Sequence, residues 1–130
     1  MTRRILLIED NEQNRYLATF LLERHGYRVE VAADGVAGVA AATASPPDLI
    51  LLDIQLPGMD GHAVARTLRS NAALARVPII AVTSYAMVGD REKVLAAGCD
   101  GYLEKPIDPE TFVASIEAIA GFPRSSQGAT

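Results

Sequence analysis

Three long apolar runs stand out along the chain, and each of them ends in polar residues. They lie at residues 4–9, 48–53 and 77–83. Solid apolar runs of this length are typical of strands buried on both faces of a sheet. Residues 28–31 alternate charged side chains with valine, which predicts a half-exposed edge strand, and residues 101–104 predict a short last strand.

Five stretches of helical periodicity separate and follow these strands. Asn11 and Asp34 are suitable N-caps for the first two helices, and residues 108–110 open the last. The fourth helix, over about residues 90–97, has little apolar surface, which predicts that it is loosely anchored. The apolar positions at helical spacing are, in chain order, Leu17, Phe20 and Leu21; Val36, Val39 and Ala40; Val64, Ala65 and Leu68; Val94 and Leu95; and Phe112, Val113, Ile116 and Ile119.

Strands that alternate with helices predict an α/β fold, a doubly wound five-stranded parallel sheet covered on both sides. The three solid apolar runs belong in the middle, and the alternating second and short fifth strands fit the edges, which gives the strand order 2-1-3-4-5. Flavodoxin-like (βα)5 folds have this order. Residues 1–121 are expected to form this one domain, and the small and polar residues 122–130 a flexible C-terminal tail.

Composition narrows the classes of protein. The 130 residues, 49% of them hydrophobic, match one domain that buries its own core. A net charge of −4 gives no bulk attraction to nucleic acid or to anionic lipid. The lone Cys99 forms no internal disulfide, and neither a secretory signal nor a membrane-spanning run is visible. A cytoplasmic location is therefore the default, with no nucleic acid or membrane partner.

Polar residues stand at the end of four of the five predicted strands. In chain order they are Glu9, Asp10, Asp53, Thr83 and Lys105. The carboxyl ends of parallel strands share one edge of the sheet, and ligands bind there where the strand order reverses, between the first and third strands. Any one of these residues commonly ends a strand, but the whole set at a single edge indicates a site.

These residue types favour phosphoryl transfer. Three carboxylates crowded together repel one another unless one is protonated or a cation binds, and Mg²⁺ prefers oxygen ligands. A lysine and a threonine hydroxyl donate hydrogen bonds to phosphate. Asp53 is the candidate nucleophile, because aspartyl phosphate is an established covalent species.

The chain resembles the receiver domains of two-component response regulators from about residue 4 to residue 120. The matching motifs are the acidic pair Glu9-Asp10, the phosphoacceptor Asp53, the loop at residues 56–61, the switch hydroxyl Thr83 with Ser84, and Lys105-Pro106. Each motif alone is weak, but their combination is specific. The pair is Glu-Asp where many members have Asp-Asp, so the role of Glu9 is less defined than that of Asp10.

The resemblance implies residue roles. Asp10, Asp53 and the backbone carbonyl of Gln55 would bind Mg²⁺, with Glu9 acting through water. Lys105 would pair with the phosphoryl group, and Thr83 would turn toward it. Tyr102 matches the switch aromatic that turns inward on activation, and a cis bond is expected before Pro106. Gln55 and Tyr85 occupy positions where the family tunes dephosphorylation.

The resemblance also implies partners. A histidine kinase or histidine phosphotransfer protein would supply the phosphoryl group, and a downstream protein would bind the face formed by the fourth helix, fifth strand and fifth helix. Such a receiver is a signalling switch in a phosphorelay rather than an enzyme, and it catalyses only its own phosphorylation and dephosphorylation. The short flanks of the domain favour a stand-alone receiver.

Three alternatives remain open. The chain could be a receiver excised from a hybrid histidine kinase. A flavodoxin-like flavin protein would need a glycine- and hydroxyl-rich phosphate loop after the first strand, where this chain has Glu9-Asp10. A phosphatase with an aspartate nucleophile usually carries a second acid two residues later, and here that residue is Gln55.

Overall fold

Strands and helices alternate along the chain in the structure, a computed structural model that describes residues 2–56, 60–84 and 88–125. The strands are β1 (Arg4–Ile8), β2 (Arg28–Ala32), β3 (Leu49–Asp53), β4 (Ile79–Thr83) and β5 (Gly101–Glu104). The helices are α1 (Glu12–Arg24), α2 (Gly35–Ala44), α3 (Gly61–Ser70), α4 (Val88–Ala96) and α5 (Phe112–Ala120), and a short 3-10 turn covers Ala72–Leu74.

The strands form one parallel sheet in the order β2-β1-β3-β4-β5, which confirms the predicted fold class and strand order. Every residue of β3 and β4 is buried, whereas most of β2 is exposed or half-buried, as expected of an edge strand. Ile8 pairs with Leu52, and Asp53 pairs with Val82. This register places the carboxyl ends of β1, β3 and β4 side by side.

Successive side chains of a strand point to opposite sides of the sheet. Because the central strands are apolar at successive positions, apolar residues cover both faces. Leu6 and Ile8 of β1 contribute to a core that also contains residues of α2, α3 and α4. Ile5 and Leu7 contribute to a second core with residues of α1 and α5. The sheet is therefore packed against helices on both faces.

The inner faces of α1 and α2 differ from the prediction. Leu21 of α1 is buried and Leu17 packs against the core, as predicted, but Phe20 is 44% exposed, and Ala18 and Leu22 are buried as well. In α2, Val39 packs against the core as predicted, but Val36 and Ala40 are exposed, and the helix buries Gly35, Gly38 and Ala42. The reason is the close approach of α2 to β1: a Cβ atom at Gly38 would overlap the Ile8 side chain.

The other helices follow the prediction more closely. Val64, Ala65 and Leu68 of α3 are buried, as are Phe112, Val113 and Ile116 of α5, while Ile119 is half-buried. In α4, Val94 is buried but Leu95 is 48% exposed.

The start of α5 was predicted wrongly. The helix begins at Phe112 rather than at residue 108, because Asp108 forms a separate turn. Its carboxylate accepts a hydrogen bond from the Glu110 amide at 3.0 Å, and its carbonyl accepts one from the Phe112 amide at 3.0 Å.

A buried polar network lies at the amino-terminal edge of the sheet. The Tyr27 hydroxyl donates to Glu117 Oε2 at 2.6 Å, and the Ser125 amide donates to the same oxygen at 3.0 Å. Phe122 stacks near the Tyr27 ring, with centroids 6.3 Å apart. Residues 122–125 thus contact the domain, while the proposed division at residue 121 stays a prediction. Within the described part of the chain, no helix combines the length and apolar character needed to cross a membrane.

Candidate functional site

Three carboxylates meet at the carboxyl edge of the sheet. Glu9 and Asp10 directly follow β1, and Asp53 is the last residue of β3. One carboxylate oxygen from each lies within 4.8 Å of the others. Asp53 and Glu9 are only 2% and 3% exposed, whereas Asp10 faces solvent. The topology therefore brings together the acids that the sequence placed at this edge.

Lys105 supplies the positive charge of the cluster. It directly follows β5, and the peptide bond between Lys105 and Pro106 is cis, as the family resemblance predicted. Its Nζ atom lies 3.0 Å from Asp53 Oδ2 and 3.5 Å from Glu9 Oε1. A single ammonium group thus contacts the two buried carboxylates.

One cation does not balance these acids. Burial, first, and the neighbouring Asp53 carboxylate together raise the pKa of Glu9 to about 7, although the Asn11 amide and Lys105 act in the opposite direction. Glu9 is therefore partly protonated near neutral pH. A divalent cation among these oxygens would remove the repulsion, so the residues fit Mg²⁺ in both ligand type and charge.

Gln55 and Thr83 line the same edge beside Asp53. The Gln55 amide N–H donates to Asp53 Oδ1 at 2.9 Å. Its side-chain Nε2 donates to Thr83 Oγ1 at 3.3 Å, and its Oε1 accepts from the Ser84 amide at 3.3 Å. Thr83 is buried at the end of β4. The phosphoacceptor candidate and the switch hydroxyl are thus connected through one residue.

The sequence reasoning missed Arg15. Its Nη1 atom donates to the backbone carbonyl of Asp10 at 2.9 Å and to that of Glu9 at 3.3 Å. The contact ties α1 to the loop that carries both acids. Because the acceptors are backbone carbonyls, no residue type in the sequence signals this contact.

Tyr102 lies farther back along β5, where it pairs in register with Ala81. The ring is half-buried and packs against the core beneath α4. The Arg91 guanidinium of α4 lies 5.0 Å from the centroid of this ring. Tyr102 therefore contacts the helix that was predicted to be loosely anchored. Tyr85 and residues 57–59 of the predicted loop lie outside the described residues.

The fold and the residues at this edge match a known family of signalling domains. A family model described as response regulator receiver domain matches residues 5–117, and the chain belongs to this family. The family match leaves the flavin-binding and phosphatase alternatives without support.

Relatives and solved structures agree with this assignment. Over 121 residues the chain is 39% identical to the polar-differentiation response regulator DivK of Brucella ovis, covering 93% of this chain and 98% of that protein. It is also similar to the receiver domain of the sensor histidine kinase PA1611 from Pseudomonas aeruginosa, at 39% identity and a TM-score of 0.84, over 93% of this chain and 99% of that one. That structure has a magnesium ion coordinated in the active-site cleft. The chemotaxis response regulator CheY4 of Vibrio cholerae is 28% identical with a TM-score of 0.88, over 92% and 99% of the two chains.

Proposed function

We propose that this receiver is a phosphoacceptor switch in which Asp53 takes a phosphoryl group from a phosphohistidine. The donor would be a histidine kinase or a histidine phosphotransfer protein of a phosphorelay. One observation carries the proposal: Lys105 Nζ lies 3.0 Å from the buried Asp53 carboxylate, within a cluster that also contains Glu9 and Asp10. A carboxylate next to a cation and a candidate metal site supports a role in phosphoryl transfer.

Mg²⁺ is the proposed cofactor. Asp10, Asp53 and the backbone carbonyl of Gln55 would hold the ion, and Glu9 would contact it through water. When bound, the ion supplies positive charge that stabilises the transferring phosphoryl oxygens. The magnesium in the cleft of the similar PA1611 receiver supports this assignment.

The chain's own residues carry the transfer. A carboxylate oxygen of Asp53 forms a bond to phosphorus as the bond between phosphorus and the donor imidazole nitrogen breaks, and that nitrogen keeps the electron pair. Lys105 neutralises charge that the new acyl phosphate brings into the edge. Hydrolysis of the acyl phosphate by water returns Asp53 to its carboxylate. Apart from the phosphodonor and water, these two steps act only on the protein's own Asp53, and inorganic phosphate leaves in the second step.

Phosphorylation would change the face formed by α4, β5 and α5. Thr83 is expected to turn toward the phosphoryl group, and Tyr102 is expected to move inward with it. Because Arg91 lies over the Tyr102 ring and Leu95 is 48% exposed, movement of this ring would alter a surface that a downstream protein can bind. The charge on Asp53 would in this way shift an existing equilibrium of α4.

Two biological settings fit this function. A stand-alone receiver is supported by DivK, of which the matched region covers 98%. A receiver module of a hybrid histidine kinase is supported by the equal identity to the PA1611 receiver. Both settings need the same chemistry at Asp53. A cytoplasmic location, where such kinases present their phosphohistidine, is part of the proposal.

Intact-mass measurement tests the central step. Incubation with acetyl phosphate and Mg²⁺ is expected to add the mass of one phosphoryl group, and the adduct should be absent without Mg²⁺. Asp53→Asn should abolish it, because an amide oxygen is not a carboxylate nucleophile. The matched control is Asp90→Asn in α4, which should keep the adduct. An adduct that persists in Asp53→Asn and forms without Mg²⁺ contradicts the proposal.

A further inference from the structure

The side chain of Gln55 bridges the ends of β3 and β4. It follows the phosphoacceptor candidate by two residues and reaches two groups on the neighbouring strand end, the Thr83 hydroxyl and the Ser84 amide, each at 3.3 Å. The contacts span 28 and 29 residues in sequence, so they fix two distant segments to one another. Gln55 is half-buried, which limits the competition of water for these bonds.

Chemistry determines the orientation of the Gln55 amide. The Ser84 backbone N–H only donates, so the group facing it must be the amide oxygen. The amide nitrogen then faces Thr83, and because that nitrogen only donates, Thr83 Oγ1 must accept. The Gln55 side chain therefore makes Thr83 Oγ1 a hydrogen-bond acceptor in this state.

The main chain of Gln55 contacts the phosphoacceptor at the same time. Its N–H donates to Asp53 Oδ1 at 2.9 Å. One residue thus touches the group expected to be modified and, through its side chain, the hydroxyl expected to respond. Addition of a phosphoryl group to Asp53 would change the charge and size of the side chain that the Gln55 N–H contacts.

We propose that the Gln55 side chain is a positioning residue that holds Thr83 and Ser84 in the unphosphorylated arrangement of the switch. Thr83 can turn toward the phosphoryl group only when its bond to Gln55 Nε2 breaks. The amide therefore favours the resting state before any phosphoryl group arrives. This role concerns the switch equilibrium, not the rate of hydrolysis, and its effect on signalling depends on the proposed phosphorylation of Asp53.

The size of the effect follows from the two bonds. An intramolecular hydrogen bond has a small net contribution, and both bonds here are long, so their loss should change the switch equilibrium by roughly three- to tenfold. If the donor reacts with the arrangement in which Thr83 has turned, the phosphorylation rate rises by the same factor.

Gln55→Met tests the proposal, because it keeps the length of the side chain and removes both hydrogen bonds. In the unphosphorylated protein, the NMR signal of the Ser84 amide should move, since its acceptor is lost. With acetyl phosphate and saturating Mg²⁺, the rate of phosphorylation should rise about three- to tenfold. Mg²⁺ affinity should be unchanged, because the proposed ligand is the backbone carbonyl of Gln55. The matched control is Gln13→Met on the exposed surface of α1, which should change none of these values.

A double-mutant cycle separates the switch from other effects. In a Thr83→Ala background, Gln55→Met should no longer raise the rate, because the partner hydroxyl is already absent. An unmoved Ser84 signal with a rate within about twofold of wild type overturns the proposal. A rate that falls together with Mg²⁺ affinity also overturns it, since Gln55 would then act through the metal site. Absence of any adduct on wild type contradicts the proposed function, and the Ser84 signal still decides whether the amide holds the strand ends.

Discussion

Two glutamates are buried at opposite edges of the sheet, and their carboxyl groups have opposite electrostatic character. Glu9 at the carboxyl edge is 3% exposed, and Glu117 at the amino-terminal edge is 1% exposed. Burial and the nearby Asp53 raise the pKa of Glu9 to about 7. Burial also acts on Glu117, but hydrogen bonds from Ser125 and Tyr27 outweigh it and hold the pKa of this carboxyl below its ordinary value.

The difference shows that donors, rather than depth, decide the charge of a buried acid. Glu117 receives the Tyr27 hydroxyl and the Ser125 amide, so the protein itself satisfies a full negative charge. The burial of Tyr27 and its bond to Glu117 raise the tyrosine pKa to about 12, which keeps the hydroxyl a donor. Glu9 shares Lys105 with Asp53 and stays short of positive charge. Hydrogen-bond donors thus stabilise the charge of Glu117 at the amino-terminal edge. The cluster around Glu9 at the carboxyl edge keeps an excess of negative charge that a cation would neutralise.

The largest expected effect comes from removing the charge of Glu117 at the amino-terminal edge. Glu117→Gln replaces the shared acceptor by an amide whose nitrogen competes as a donor with Tyr27 and Ser125. We expect the free energy of unfolding to fall by about 3 kcal/mol near pH 7, because hydrogen bonds to a buried charge are lost. Denaturant titration measures the change. Glu92→Gln, at an exposed position of α4, is the control and should stay within about 0.5 kcal/mol of wild type. Equal small losses in both variants would contradict this role for Glu117.

The second prediction concerns how the free energy of unfolding depends on pH through Glu9 at the carboxyl edge. Because the pKa of Glu9 is raised from 4.5 to about 7, folding keeps its proton, and the resulting stability is full below about pH 4.5. It is lost as the pH rises through about 7. Relative to Glu9→Gln, metal-free wild type should therefore lose about 2 kcal/mol of unfolding free energy between acid and mildly alkaline pH, a value below the full shift because water reaches the edge. Parallel pH profiles of the two proteins would show that Glu9 is not the group involved.

The third prediction concerns stabilisation of the folded protein by Mg²⁺ bound at the carboxyl edge. Near pH 8, Mg²⁺ at ten times its Kd should raise the free energy of unfolding by about 1.4 kcal/mol, since binding to the folded state alone stabilises it. Asp10→Ala should remove most of this gain, whereas Asp90→Asn should keep it. Thermal unfolding with and without Mg²⁺ measures both. A gain that survives in Asp10→Ala would place the ion elsewhere.

The carboxyl edge was more predictable from sequence than the amino-terminal edge. Asp53, Thr83 and Lys105 end or follow strands, and a parallel sheet brings such positions together whatever lies between them. Strand order followed from which runs were solidly apolar. The geometry of these residues is now visible, while their chemical roles stay predictions for the mass and rate measurements.

Other features could not be found because they depend on packing. Phe20 and Leu22 are both apolar residues of α1, and only the rotation of the helix decides that Leu22 is buried. Gly38 lies inward in α2 because the helix approaches Ile8, which no hydrophobic pattern reveals. A glutamate in a helix usually indicates a solvated face. The pairing of Glu117 with Tyr27, 90 residues away in sequence, reverses that expectation.

Ser125 gives the smallest and most local test of the comparison. Its hydroxyl lies 2.8 Å from His25 Nδ1 and helps to lower the pKa of Glu117, while its amide bond to Glu117 belongs to the main chain. Ser125→Ala should therefore raise the pKa of Glu117 and cost about 0.5–1 kcal/mol near neutral pH. Stability linked to a lowered carboxyl pKa is present above the ordinary value and is lost as the pH falls through the folded-state pKa, so the difference from wild type should vanish in acid. NMR titration of Glu117 with denaturant curves at two pH values measures both effects. If the cost of the substitution were the same in acid, the Ser125 hydroxyl would act by packing alone, and the charge of Glu117 would depend on Tyr27 and the backbone amide.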